Sequence, residues 1–123
     1  MKKILIVDDS PILRSTIRAV LERSGYQISG EAGNSDEAMT LFQKEKPDMI
    51  LLDILLPGES GLDILKKIMG IAPDSKVLII TAINQESVNT EAKSLGAKGI
   101  LYKPFDPMEL INAIDAALSQ PAK

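Results

Sequence analysis

The sequence predicts a doubly wound α/β fold in which five parallel strands alternate with five helices. Two observations lead to this prediction: short unbroken apolar runs recur along the chain, and amphipathic segments lie between them. Apolar runs that do not alternate are typical of strands buried on both faces, as in a parallel sheet covered by helices. Parallel strands need crossover connections, and right-handed crossovers place helices on both faces of the sheet.

Five segments are predicted as strands. Four are the unbroken apolar runs, which we expect to be buried on both faces, at residues 4–7, 49–52, 77–80 and 99–102. The fifth is a weaker segment at residues 26–32, in which Ile28 and Ala32 are interleaved with polar residues. Because this pattern leaves one face polar, the segment is expected to form an edge strand.

Five helices are predicted from capping residues and apolar spacing. The first is expected to begin after the capping residue Ser10, with Pro11 at its first position, and to end before Gly25. The other four are expected at residues 35–46, 60–72, 85–95 and 107–118. The fourth of the five has the narrowest apolar stripe.

Composition excludes several classes of function. The 123 residues, 45% hydrophobic and 25% charged, suit one globular domain. A net charge of −3, with two Tyr, two Phe and no Trp, argues against a nucleic-acid-binding surface. No apolar run approaches the ~18 residues that cross a membrane. Cysteine and histidine are absent, which excludes disulfides, Cys/His zinc sites and histidine bases and leaves carboxylates, hydroxyls and lysines.

Polar residues follow four of the predicted strands at their carboxyl ends. They are Asp8 and Asp9 after the first strand, Asp53 after the third, Thr81 after the fourth and Lys103 after the fifth. Ligands of doubly wound sheets bind at this edge, at the point where the strand order reverses. We therefore expect these five residues to converge on one rim.

The chemistry of this set points to a cation and a phosphate. Clustered carboxylates repel one another, and either shared protons or a divalent cation would neutralise them. Oxygen ligands without a dense carbonyl cage favour Mg²⁺, and a hydroxyl and an ammonium can bind phosphoryl oxygens. The set thus has the parts needed for carboxylate attack on phosphorus. Each residue taken singly also fits a turn, a helix cap or a solvated side chain, and only the joint arrangement indicates a site.

Four segments carry a resemblance to a known family: Ile-Leu-Ile-Val-Asp-Asp-Ser at residues 4–10, Asp-Ile-Leu-Leu-Pro at residues 53–57 with Gly61 beyond it, Thr81-Ala82, and Lys-Pro-Phe at residues 103–105. Over essentially its whole length, the chain resembles the receiver domain of bacterial two-component response regulators, single-domain chemotaxis regulators in particular. The resemblance implies a flavodoxin-like, CheY-like (βα)5 fold with strand order 2-1-3-4-5. It also implies a receiver domain at residues 1–119 and a tail or the start of a linker at residues 120–123.

The resemblance further implies a metal site. Asp53 matches the phosphoryl acceptor, which is also a metal ligand. Asp9 matches a direct Mg²⁺ ligand, and Asp8 matches the acidic residue that reaches the metal through water. Leu55 matches the position whose backbone carbonyl completes the site.

Other residues match the phosphate-binding positions of the family. Thr81 matches the hydroxyl that moves to the phosphoryl group, and Lys103 matches the phosphate-binding lysine. Ala82 matches the small residue whose N–H and lack of bulk leave room for the phosphoryl group. The bond between Lys103 and Pro104 resembles the cis peptide of the family.

The chain departs from the family pattern at two places, and each departure leads to a prediction about how the switch works. The family has a switch aromatic three residues before the lysine, and here that position is Ile100. We expect a smaller rotamer change, or a shift of the fourth helix, to carry the signal instead. Leu55 and Ile83, at the two positions flanking the pocket mouth, are both apolar. Neither can orient an attacking water, so we expect slow loss of the phosphoryl group.

The resemblance implies a phosphoryl-accepting signalling switch of a two-component phosphorelay, not an enzyme beyond its own phosphoryl transfer and dephosphorylation. A sensor histidine kinase or phosphotransfer protein would phosphorylate Asp53, because the chain has no histidine. Phosphorylation would change the affinity of the surface formed by helix four, strand five and helix five for a downstream target. We expect a cytoplasmic monomer or weak homodimer without direct nucleic-acid or membrane contact, acting alone or as part of a longer regulator.

The sequence is also compatible with three alternatives. A flavin-binding module on the same fold would need a hydroxyl- and glycine-rich phosphate loop after the first strand, where this chain has Asp8 and Asp9. A Mg²⁺-dependent phosphatase would have two spaced aspartates there rather than an adjacent pair. A degenerate receiver that serves only for protein interaction would have lost part of the five-residue set.

Overall fold

A computed structural model of the chain describes residues 2–121. The strands are β1 (Lys3–Val7), β2 (Gln27–Ala32), β3 (Met49–Leu52), β4 (Val77–Thr81) and β5 (Gly99–Tyr102). The helices are α1 (Pro11–Arg23), α2 (Ser35–Glu45), α3 (Gly61–Ile71), α4 (Glu86–Ser94) and α5 (Pro107–Ser119). All strand pairs are parallel, in the order β2-β1-β3-β4-β5. The doubly wound, flavodoxin-like α/β fold and its strand order are thus confirmed.

Local capping signals set most of the helix ends. The Ser10 hydroxyl caps α1 by accepting a hydrogen bond from the N–H of Leu13 at 3.2 Å. The residues before α2, α3 and α5 cap their helices with side-chain oxygens in the same way. Helix α4 differs, because the side chain of Gln85 makes no capping bond and only Ala92 of the helix is buried. The core therefore holds α4 less firmly than the other helices.

Two apolar layers cover opposite faces of the sheet. One layer packs α2, α3 and α4 against strand residues that include Leu5 and Ile50. The other packs α1 and α5 against strand residues that include Ile4 and Leu51. Successive residues of β1 and β3 thus point into different layers, and both layers are apolar. This explains why the central strands have unbroken apolar sequences.

Strand β5 departs from the prediction that it is buried on both faces. Its four residues are only partly buried. It has a strand neighbour on one side only, because it forms one edge of the sheet. Its apolar run reflects the packing of Ile100 and Leu101 against the two different layers. The edge position predicted for β2 is correct.

The carboxyl-terminal end of the described region follows α5 directly. The side chain of Gln120 donates a hydrogen bond to the carbonyl of Lys98 at 2.7 Å. The boundary between residues 119 and 120 stays a prediction, and residues 1, 122 and 123 lie outside the described part of the chain. None of the helices formed by residues 2–121 has the length and apolar character that crossing a membrane requires.

Candidate functional site

The predicted site residues gather at the carboxyl edge of the sheet. The backbone N–H groups of Asp8 and Asp53 still donate to the neighbouring strands, each at 3.0 Å, one residue beyond their own strands. The N–H of Lys103 donates to the carbonyl of Thr81 at 2.9 Å. Thr81 is the last residue of β4 rather than the first residue after it. The strand ladders therefore carry these side chains to a common edge.

Lys103 bridges two buried carboxylates. Its Nζ lies 2.7 Å from Oδ2 of Asp8 and 2.9 Å from Oδ2 of Asp53. Asp8 and Asp53 are only 2% and 3% exposed. Carboxylates buried to this extent are stable as anions only beside a cation or strong donors, and one ammonium meets part of that need for both. The peptide bond between Lys103 and Pro104 is cis, as the resemblance implies.

The pKa of Asp53 reflects competing influences. Burial raises this pKa above its ordinary value, although hydrogen bonds from Lys103 and from the N–H of Leu55 act in the opposite direction. Burial alone would lower the pKa of Lys103, but its hydrogen bonds to Asp8 and Asp53 raise that pKa overall. The Asp53 carboxylate therefore carries its negative charge at a net energetic cost, which a further cation would offset.

Asp9 completes a group of three carboxylates. One oxygen each from Asp8, Asp9 and Asp53 lie within 4.8 Å of one another. Asp8 and Asp53 are buried, whereas Asp9 is exposed, so the group has one side open to water. Mg²⁺ binds through one or two carboxylates and keeps several waters. The donor set and its open side therefore fit Mg²⁺.

The loop after β3 wraps closely around Asp53. The N–H of Leu55 donates to Oδ1 of Asp53 at 3.1 Å, and the Leu55 side chain is exposed. The N–H of Gly61 donates to the carbonyl of Ile54 at 2.8 Å. A Cβ atom on Gly61 would lie only 2.1 Å from the carbonyl oxygen of Asp53. Glycine is thus required where α3 begins, because the backbone that carries Asp53 passes directly over it.

The Thr81 hydroxyl is tied to the loop that follows it. Thr81 is fully buried, and its Oγ1 accepts a hydrogen bond from the N–H of Ile83 at 3.1 Å. Ala82, between them, is exposed. A movement of this hydroxyl would therefore leave the N–H of Ile83 without its acceptor.

Ser10 and Arg14, which were not predicted as site residues, also contact the pocket. The N–H of Ser10 donates to Oδ1 of Asp8 at 2.9 Å. The Arg14 guanidinium donates to the backbone carbonyl of Asp8 and, through Nε, to Glu31 at 3.2 Å. Ser10 was predicted as the cap of the first helix and closes the family motif at residues 4–10, but no contact with Asp8 was predicted for it. Arg14 was not predicted to take part in the site.

A family model described as the response regulator receiver domain matches residues 4–115. The chain belongs to the response regulator receiver domain family, whose members are phosphoryl-accepting signalling switches rather than classical enzymes.

Individual relatives agree with this assignment. A chemotaxis protein CheY from Thermotoga maritima is 36% identical over 114 residues, which cover 93% of this chain and 95% of that protein. A solved two-component response regulator of the LuxR family from Aurantimonas sp. is 34% identical with a TM-score of 0.91, over 97% of this chain and 86% of that chain. A chain of the CheX–CheY–BeF3–Mg²⁺ complex from Borrelia burgdorferi is 25% identical with a TM-score of 0.93, over 97% of this chain and 90% of that chain.

Proposed function

We propose that Asp53 is the residue that receives the phosphoryl group. The observation that carries this proposal is its position in the sheet: β3 lies between β1 and β4. Asp53 therefore has the Asp8–Asp9 pair on one side and Thr81 on the other, while Lys103 contacts its carboxylate. Among the three clustered carboxylates, only that of Asp53 has this combination of neighbours.

Mg²⁺ would be held directly by the carboxylates of Asp9 and Asp53 and by the backbone carbonyl of Leu55, and Asp8 would reach it through water. When bound, it supplies the positive charge that reduces repulsion between the acceptor carboxylate and an incoming phosphate. The carboxylate set supports this role, because its charge and its open, exposed side suit a partly hydrated cation.

The phosphoryl transfer itself needs one oxygen of Asp53. That oxygen attacks the phosphorus of a phosphohistidine, an O–P bond forms, and the N–P bond breaks with its electron pair remaining on the imidazole nitrogen. The Lys103 ammonium then pairs with one negatively charged phosphoryl oxygen. The Thr81 hydroxyl donates a hydrogen bond to another. Ala82 leaves room for the group and offers its backbone N–H.

The donor is a sensor histidine kinase or a phosphotransfer protein. The chain contains no histidine, so the phosphohistidine must belong to a partner. We place this exchange in the cytoplasm, with the protein as a monomer or weak homodimer that touches neither nucleic acid nor a membrane. The Borrelia structure, in which a CheY forms a complex with CheX, BeF3 and Mg²⁺, supports a second protein as a binding partner.

The hydrogen bond between Thr81 and Ile83 is the route by which we propose that the signal leaves the pocket. When the Thr81 hydroxyl turns to the phosphoryl group, the N–H of Ile83 loses its acceptor and the loop before α4 rearranges. Ile100, at the position of the family's switch aromatic, has no ring and packs partly buried in the layer of α4. Phosphorylation then shifts the population of states presented by the α4–β5–α5 surface to a target.

A Thr81→Ala variant is expected to accept the phosphoryl group yet lose most of the response of α4. The measurement is the change in α4 amide resonances of ¹⁵N-labelled protein when acetyl phosphate and Mg²⁺ are added. Thr81→Ser keeps the hydroxyl and is expected to respond like the wild type. If the α4 resonances of Thr81→Ala change as much as those of the wild type, the signal does not pass through the Thr81 hydroxyl.

Leu55→Asn and Ile83→Glu are expected to shorten the phosphoryl half-life by about tenfold, a modest part of what a placed general base contributes. Both positions flank the pocket, and their native apolar side chains cannot orient a water. The half-life is followed by intact mass after the donor is removed. Ile71→Asn changes an exposed apolar residue at the far end of α3 and is the control. Half-lives equal to the wild type in both pocket variants would contradict the prediction.

An Asp9→Asn variant is expected to fold normally but to lose its stabilisation by Mg²⁺. In the wild type, Mg²⁺ at roughly ten times its dissociation constant should raise the free energy of unfolding by about 1.4 kcal/mol. Asp9 is exposed, so its replacement removes a metal ligand without disturbing the core. Thermal melts in EDTA and in Mg²⁺ measure the effect, with Asp36→Asn, another exposed aspartate, as the control. An unchanged Mg²⁺ response in Asp9→Asn would remove Asp9 from the metal site.

The experiment that tests the proposed function is the intact mass of the protein after incubation with acetyl phosphate and Mg²⁺. The mass is expected to rise by one phosphoryl group, and EDTA is expected to prevent the gain. A chain that gains no phosphoryl group under these conditions would overturn the proposal.

A further inference from the structure

We propose that Arg14 is a positioning residue for the metal-binding loop. By holding the carbonyl of Asp8, Arg14 orients the following peptide so that the Asp9 carboxylate turns toward Asp8 and Asp53. This inference rests on the proposed Mg²⁺ site.

Arg14 supplies the last of four contacts that fix Asp8. The N–H of Asp8 donates to the carbonyl of Ala32 at 3.0 Å. The carboxylate of Asp8 accepts from the N–H of Ser10 at 2.9 Å and from Nζ of Lys103 at 2.7 Å. The Arg14 guanidinium donates to its carbonyl oxygen. Each backbone polar group and each carboxylate oxygen of Asp8 therefore has a partner.

The contact to the carbonyl of Asp8 acts on Asp9. The C=O of Asp8 and the N–H of Asp9 belong to one planar peptide group, so holding the oxygen fixes the orientation of the whole plane. Asp9 itself is exposed, and packing does not restrain its side chain. The backbone therefore sets where the Cβ atom of Asp9 lies relative to the pocket, and Arg14 restrains that backbone.

The Arg14 side chain is itself held at a second point. Its Nε lies 3.2 Å from Oε1 of Glu31 on β2, and the Arg14 side chain is 18% exposed. Arg18, one turn later on α1, places its Nε 2.6 Å from the other oxygen of Glu31 and is 38% exposed. A planar guanidinium that is bound through both Nη1 and Nε has a more defined position than a flexible ammonium would have. Arg14 thus links β2 to the loop after β1.

Charge balance keeps this arrangement compatible with a nearby cation. Arg18 also lies 3.3 Å from Glu22, so the two arginines face two carboxylates, of Glu22 and Glu31. The cluster is therefore neutral overall and does not repel a cation from the pocket by net charge. Gly33 leaves the space that the guanidinium occupies, since a Cβ there would lie 3.1 Å from Nη1 of Arg14.

The test measures the dissociation constant of Mg²⁺ alone by calorimetry, together with the melting temperature in EDTA. Arg14→Ala is expected to weaken Mg²⁺ binding by about tenfold, as typically follows from the loss of a group that orients a ligand. Arg18→Ala is the matched control, because it removes a contact to the same Glu31 but none to Asp8, and its Mg²⁺ affinity should stay within about twofold of the wild type. Arg14→Lys keeps the charge beside Glu31, and so protects the fold, but should not restore affinity.

Three results would overturn the inference. These are an unchanged Mg²⁺ affinity in Arg14→Ala, an equal loss in Arg14→Ala and Arg18→Ala, and full affinity in Arg14→Lys. All three leave the proposed function standing, because the wild type still binds Mg²⁺ and accepts a phosphoryl group. A wild-type protein that binds no Mg²⁺ would overturn both this inference and the proposed metal site.

Discussion

An Asp53→Asn variant is expected to gain no phosphoryl group from acetyl phosphate and Mg²⁺, and in EDTA at neutral pH to melt at a higher temperature than the wild type. The first effect follows because an amide is not a nucleophile toward phosphorus. The second follows from burial, which raises the pKa of Asp53 despite the hydrogen bond from Lys103. A neutral side chain of the same shape avoids the cost of that buried charge.

The destabilisation by the Asp53 carboxylate depends on pH. Because the folded protein raises the pKa of Asp53, the ionised carboxylate lowers stability above that pKa. The destabilisation fades as the pH falls through the folded pKa and is absent below the unfolded value, near about pH 4. The difference in melting temperature between Asp53→Asn and the wild type should therefore be largest at neutral pH and shrink toward about pH 4.

Asp74→Asn is the matched control for this variant. Asp74 is exposed and lies between α3 and β4, at the opposite end of the strands from the pocket. Its replacement is expected to leave both phosphorylation and the melting curve unchanged. A phosphoryl gain retained in Asp53→Asn would overturn the choice of acceptor, and a lower melting temperature at neutral pH would contradict the account of burial.

A Gly61→Ala variant is expected to lose about 3 kcal/mol of stability, at or beyond the upper end of overpacking effects. The added Cβ would lie 2.1 Å from the carbonyl oxygen of Asp53 and 2.6 Å from Cα of Ile54. Both are backbone atoms and cannot rotate away, so the loop that carries Asp53 must move. For a chain of 123 residues, the melting temperature should fall by roughly 10 °C.

Gly70→Ala provides a control in the same helix. A Cβ on Gly70 would meet nothing within 4 Å, and the residue is exposed. This substitution should stabilise the protein by about 0.5–1 kcal/mol, because alanine favours the helix more than glycine does. Under conditions where both variants are folded, Gly61→Ala should also accept the phosphoryl group more slowly than Gly70→Ala. If the two variants were equally stable, the loop that carries Asp53 would accommodate the added Cβ without loss of stability, which would contradict the prediction.

Prediction from sequence succeeded where the signal is local. Apolar runs located the strands to within a residue, and capping residues such as Ser10 located the helix starts. The candidate site was predicted as a set, because Asp8, Asp53 and Lys103 each come directly after a strand of a parallel sheet. The burial of β5 was predicted wrongly, because an apolar run does not distinguish a central strand from an edge strand that packs against both layers.

By itself, the sequence determined the order of elements, the fold class and the chemical groups at the carboxyl edge of the sheet. Tertiary structure decided which of those groups touch. Lys103 meets Asp8 across 95 residues of chain and Asp53 across 50, and no local pattern encodes either distance. The contact of Arg14 with Asp8 and the close approach of Gly61 to Asp53 likewise depend on how helices dock on the sheet. Such contacts follow from packing in three dimensions, whereas helices, strands and caps follow from interactions between near neighbours in the chain.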